Sequence, residues 1–377
     1  MRHLKTLAVL VIVMGLLVPL AVNAEKKDKA EPLIQMAILL DTSGSMEGLI
    51  EQAKTQLWKI VNEMALAKQD GISPRLEVAL YEYGKSSIPM SEGYLRMIVP
   101  LSVDLDRISE ELFKLTTNGG SEYCGQVIQS AVNELKWVKD NNHLKVIFIA
   151  GNEPFTQGSV DYRKSCKASI TKGIVVNTIF CGNYQEGINT QWKDGADLAD
   201  GKYINIDQDK KIVHIDAPQD KEIVELGKQL NATYVAYGRA GSAKKERQKA
   251  QDMNAASVNP SVMVQRSVTK ASKQYSNVDW DLVDAEKEGA VKVEEMDEEL
   301  LPAEMKDMSK EERKAYIEKK QKERQVLQEK INKLKQDRDQ YVAEKRKASA
   351  VEDTLDEAII KAVRDQAKKK NYKFDKK

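Results

Sequence analysis

Apolar and polar positions alternate along the first 240 residues in two registers, one suited to strands and one to helices. Residues 33–40 form an apolar run of the kind buried on both faces of a sheet, and 49–66 carry apolar residues at helical spacing. Residues 75–83 alternate Leu76, Val78 and Leu80 with polar positions, and 94–101 repeat the pattern, so two further strands are expected near one edge. Helices follow at 105–115 and 122–139, then a central strand at 144–150. The order continues with a helix at 160–172, a strand at 175–181 and a short helix at 191–198. A strand at 203–206, a helix at 221–230 and a closing strand at 234–237 complete it. Such alternation predicts the α/β class: a doubly wound, mostly parallel, Rossmann-like sheet with helices on both faces.

The pattern changes after Gly241. Residues 241–308 are polar and charged with scattered hydrophobics such as Val262, Val264, Trp280 and Leu282, and read as a linker with short docked elements. Residues 309–377 read as a long charged helical tail. Ser309 with Glu312 resembles a capping box, and Ile317, Leu327, Ile331, Leu334 and Tyr341 share a seven-residue seam. Lys320, Arg324, Arg338 and Lys345 fall on that same seam. The pattern therefore specifies a dimeric coiled coil only weakly; a solvated helix, or a hairpin with the segment carrying Leu355, Ile359 and Val363, fits better.

Residues 1–24 stand apart. A basic start at Arg2 and Lys5, an uncharged apolar stretch over 6–22 and small residues ending at Ala24 read as a secretory signal peptide, which predicts a periplasmic or secreted protein. Left uncleaved, the stretch would tie the chain to a membrane. Loss of Arg2 and Lys5 moves the formal net charge from +1 to −1. This balance, with both signs interspersed, argues against a nucleic-acid partner. After export, Cys124, Cys166 and Cys181 meet oxidising conditions, which predicts one disulfide and one free thiol, with Cys166–Cys181 as the favoured pair.

The candidate chemistry is concentrated in Asp41-Thr42-Ser43-Gly44-Ser45-Met46, directly after the first apolar run. One carboxylate and two hydroxyls on a strand-to-helix turn sit at the carboxyl end of the sheet, where open α/β sheets bind ligands, and oxygen donors suit a hard divalent cation. Here the sequence resembles the von Willebrand factor type A family, which carries Asp-x-Ser-x-Ser at the end of its first strand. The resemblance implies a metal-ion-dependent adhesion site, with Mg²⁺, or Mn²⁺ or Ca²⁺, held by Asp41, Ser43 and Ser45. The family's second loop supplies a Thr hydroxyl after a Gly pair, and the matching stretch Asn118-Gly119-Gly120-Ser121 offers Ser121 instead. The third loop of the family ends Thr-Asp-Gly, whereas this strand ends Ala150-Gly151-Asn152-Glu153, with Gly151 at the Asp position.

Loss of that carboxylate weakens a dication site. Three outcomes stay open: Glu153 compensates, an acidic side chain of a protein partner completes the shell, or no metal binds. The implied function is accordingly a non-enzymatic, exported module that engages a protein partner through the cation. The alternative is a structural scaffold with a degenerate, metal-free site whose interactions, self-association among them, run through the helical tail. Hydrolysis is disfavoured because no Gly-x-Ser-x-Gly is present and only His143 and His214 remain as bases after cleavage. Cys124, at the start of a helix, is a candidate low-pKa thiol or a structural cysteine. Tyr184 and Trp192 either line a partner surface at the same edge or, for Trp192, anchor a helix in the core.

Overall fold

The computed structural model describes residues 31–207, 215–348 and 355–374. The signal-peptide reading and His214 fall outside them. Six strands form one sheet: β1 (Leu33–Asp41), β3 (Arg75–Tyr83), β4 (Leu95–Ser102), β5 (Leu144–Gly151), β6 (Val175–Cys181) and β7 (Tyr203–Ile206), in the order β4-β3-β1-β5-β6-β7. All neighbours run parallel except β4, which pairs antiparallel with β3 at one edge. Two short strands, β2 (Ala67–Gln69) and β8 (Tyr372–Phe374), pair separately.

The helices are α1 (Glu47–Met64), α2 (Leu105–Lys114), α3 (Cys124–Glu134), α4 (Tyr162–Thr171), α5 (Tyr184–Asn189), α6 (Trp192–Leu198), α7 (Asp220–Asn231), α8 (Gly241–Val258), α9 (Pro260–Lys270), α10 (Leu282–Lys287), α11 (Lys310–Ala348) and α12 (Leu355–Lys368). The doubly wound α/β expectation holds. The expected closing strand does not form; Ala236 makes only an isolated bridge to Asp281.

Burial on both faces explains the strand sequences. Met36 and Leu40 of β1 and Val146 and Phe148 of β5 face a core shared with α1, α2 and α7, while Ala37, Leu39, Ile147 and Ile149 face the opposite core, shared with α3, α4 and Trp192. Successive residues alternate between the two because the strand period is two. This alternation also removes the expected disulfide. Cys166 lies in one core and Cys181 in the other, with the sheet between them, and all three cysteines are free and buried.

Residues 241–308, expected to be a linker, instead supply α8, α9 and α10. Their apolar residues Ala255, Val262 and Val264 join the core on the α1 side. The polarity that suggested a linker is itself buried: Arg266 bonds Asp106 (2.5 Å) and Asp252 (2.9 Å), and Lys270 bonds Asp252 (2.6 Å). The capping box forms as expected, with Ser309 N donating to Glu312 Oε2 (2.8 Å) and Glu312 N to Ser309 Oγ (3.3 Å). The charged seam of α11 packs on its own chain. Ile317 and Ile331 are buried, Arg324 bonds Asp281 and Asp284 (2.7 Å each), and Arg338 bonds Asp220 (2.6 Å). These four seam positions are covered by the chain itself, while Leu327, Leu334 and Tyr341 stay partly exposed.

Candidate metal site at the carboxyl edge of the sheet

β1 ends at Asp41, whose side chain falls on the α3 side of the sheet and is fully buried. Its Oδ1 accepts from Ser43 N (2.7 Å), an Asx turn that folds the loop back over the strand end. Thr42 is fixed by its N donating to Tyr83 O (2.8 Å) and its O accepting from Asn118 N (3.0 Å), so the first loop is tied to β3 and to the second loop. The Ser43 and Ser45 hydroxyls lie 3.5 Å apart, Ser43 nearly sealed and Ser45 exposed at the rim. Three of the expected oxygen donors thus come together on one turn.

The second loop contributes a residue that the sequence did not single out. Glu122 is buried, its carboxyl against that of Asp41 and within hydrogen-bonding reach of Ser43. Its N donates to Gln157 Oε1 (2.8 Å), and its Oε2 accepts from Glu153 N (3.2 Å). Ser121, one position earlier, is half-buried and makes no hydrogen bond among the described residues. Glu122 was legible only as a helix opener; in the fold it packs against Gly84, where an added Cβ would come within 2.5 Å of Asp41 Oδ1 and 2.9 Å of Glu122 Cγ.

In the third loop, Gly151 leaves no room for a side chain, since a Cβ there would meet Tyr83 Oη at 2.6 Å and Asp41 Oδ2 at 3.0 Å. The Tyr83 hydroxyl donates to Ala150 O (2.8 Å) and fills that space. Asn152 Nδ2 donates to Ser45 Oγ (3.1 Å). Glu153 reaches the cluster through its backbone N; its exposed carboxylate accepts from Gln157 Nε2 (3.2 Å). Trp192 is buried and donates to Glu153 O (2.8 Å), so it anchors this loop in the core, while Tyr184 stays exposed.

Two like charges placed together in a buried site shape its electrostatics. Burial, then the adjacent Glu122 carboxyl, pushes the Asp41 carboxyl well above the usual carboxylate range, and burial raises Glu122 as well. Burial likewise pushes the Cys124 thiol up, with the Glu122 charge adding to it, so the helix start does not activate this cysteine. Asp41 Oδ2 and Asn152 Oδ1 are buried and receive no hydrogen bond. Among the described residues no three His, Cys, Asp or Glu side chains gather as a metal group, so any cation here draws on hydroxyl and amide oxygens besides the two carboxylates. The donor set is all oxygen and suits a hard dication. His143 accepts from Leu33 N (3.1 Å) at the other end of β1, about 26 Å from the serines at ordinary strand rise, too far to act as their base.

No protein-family model matches the chain, and no curated protein does. Solved structures with a similar fold include the conserved hypothetical protein BatB from Bacteroides thetaiotaomicron, at 15% identity over 46% of this chain and 90% of that one, TM-score 0.35. A von Willebrand factor type A structure from Catenulispora acidiphila matches at 16% identity over 46% of this chain and 39% of that one, TM-score 0.33. Proximal thread matrix protein 1 of the mussel byssus, solved with a zinc-occupied MIDAS motif, matches at 14% identity over 48% of this chain and 43% of that one, TM-score 0.35. At these scores the fold description rests on the strand order and register given above. No helix among the described residues is long and apolar enough to cross a membrane.

Proposed function

We propose that this chain is an exported, non-enzymatic interaction module of the von Willebrand factor type A kind, which engages a protein partner through a divalent cation at the carboxyl edge of its sheet. Asp41, Ser43 and Ser45 hold the ion in this reading, with Ser121 and Glu153 as the loop donors that the family resemblance implies. The observation that carries it is Asp41 Oδ2, a buried carboxylate oxygen without a donor, beside the paired Ser43 and Ser45 hydroxyls. A carboxylate oxygen in that state is costly unless a cation or a proton meets it.

A bound dication supplies a Lewis-acidic point that an acidic side chain of the partner can ligate. The protein's own part is to fix the donors through the Asx turn and the Thr42 links to β3 and the second loop, and to present Ser45 at the exposed rim. Calorimetric titration with Mg²⁺ or Mn²⁺ tests this directly: binding heat is expected for the wild type and none for Asp41→Ala, and equal heats from the two proteins overturn it.

The blocked position at Gly151 favours a second reading, a metal-free scaffold. In that case partner capture is insensitive to chelator, whereas cation-dependent capture is lost in it. Export rests on the residue pattern of the first 24 positions.

A further inference from the structure

We infer that the second- and third-loop ligands of the cation are the Glu122 carboxylate and the Asn152 side-chain oxygen, in place of Ser121 and Glu153. This assignment rests on the cation reading above and specifies the chemistry of that same site.

The first observation is the orientation of the Asn152 amide. Its Nδ2 is committed to Ser45 Oγ (3.1 Å), so its Oδ1 is the free end, and that oxygen is buried without a donor. Asp41 Oδ2 is in the same condition on the same group of loops. Buried acceptors in folded proteins nearly always have a partner, and a cation ligated by both would satisfy the two at once. The second observation is that position 151 is closed to any side chain by Tyr83 Oη, which moves the third-loop donor one residue on. The third is the placement of Glu122: the Glu153 N–H and the Gln157 amide hold it, and its carboxyl meets that of Asp41. Ser121 makes no hydrogen bond among the described residues, and the Glu153 carboxylate is exposed and engaged with Gln157.

The resulting set is two carboxylates, two hydroxyls and one amide oxygen. Without nitrogen or sulfur it selects a hard cation, and its two negative charges match a divalent one.

The test is a Mn²⁺ titration of the full chain by calorimetry, repeated for Asn152→Ala, Glu122→Gln, Ser121→Ala and Glu153→Gln, with melting curves recorded with and without Mn²⁺. Asn152→Ala and Glu122→Gln are expected to weaken binding about tenfold or more and to shrink the Mn²⁺-induced rise in melting temperature, while Ser121→Ala and Glu153→Gln stay within about twofold. Asn152→Asp adds a charge to the proposed donor and is expected to tighten binding, a gain that misfolding cannot mimic. If the wild type binds Mn²⁺ but Asn152→Asp brings no gain and the losses fall on Ser121→Ala or Glu153→Gln, the ligand assignment is overturned and the cation reading survives. If the wild type gives no heat, both fall.

Discussion

At the scale of single residues, Gly151 decides what this edge of the sheet can become. Restoring the carboxylate that the family resemblance calls for there would drive a Cβ to 2.6 Å from Tyr83 Oη and 3.0 Å from Asp41 Oδ2, an overpacked contact beside an existing buried carboxyl. Gly151→Asp is therefore expected to destabilise the protein by about 1–3 kcal/mol rather than to rebuild the site. Urea denaturation measures this, and Tyr83→Phe, which removes the obstructing oxygen, should recover part of the loss in the double variant; equal stability of wild type and Gly151→Asp would show that the hydroxyl moves aside freely. Asp41, Ser43 and Ser45 were legible because their spacing on one turn fixes their proximity. The placement of Glu122 and Asn152 was not, because it comes from contacts across loops: Glu122 is sealed by Gly84 and held by Gln157, and Asn152 is oriented by Ser45. A linear pattern shows none of these.

At the scale of elements, the strands of the main sheet and most helices up to residue 231 were readable because each apolar run meets a core on a known face, whereas the short β2 and α5 carry too few residues to show a period. The region after Gly241 was misread for a physical reason: its scattered apolar residues are buried together with charged groups that pair inside the fold, and hydrophobic periodicity does not register those pairs. The α11 seam shows this best. Ile317, Arg324, Ile331 and Arg338 recur at seven-residue intervals, and the arginines that spoil a coiled coil are the groups that dock the helix. Arg324 reaches Asp281 and Asp284, donates to Thr233 Oγ1 (3.0 Å) and Thr233 O (2.8 Å), and stacks 4.0 Å from the Tyr234 ring centroid. Arg324→Ala would leave the fully buried Asp281 without its counter-charge, and breaking such a pair costs about 3–5 kcal/mol. The expected outcome is a loss of that order in urea unfolding, with faster amide hydrogen exchange along α11. A loss below about 1 kcal/mol would mean that Ile317 and Ile331 hold the helix without it.

At the scale of the whole molecule, the near-neutral charge conceals a buried ion network that joins regions far apart in sequence: Asp106 on α2, Asp252 on α8, and Arg266 and Lys270 on α9. Burial, with the Arg266 charge beside it, lowers the Lys270 ammonium to about 8 although Asp252 pulls the other way. An unfolded chain keeps this lysine protonated up to its ordinary value near 10.4, so between roughly pH 8 and 10.4 the native state binds fewer protons than the unfolded one. The contribution of Lys270 to stability must then rise with pH across that window: the cost of burying the charge is fully present below 8 and relieved above 10.4. Other groups oppose this trend, because burial raises the three cysteines and Tyr83, Tyr234 and Tyr275, which lose stability as pH climbs through their ordinary ranges. The lysine is therefore isolated by difference, comparing the wild type with Lys270→Met, which keeps the length of the side chain and removes the titration. The stability of the wild type relative to Lys270→Met is expected to be flat below pH 8 and to climb by up to about 3 kcal/mol by pH 10.4. A flat difference across the whole range would place the ammonium in contact with water, and with it would go the conclusion that α9 seals the network from solvent.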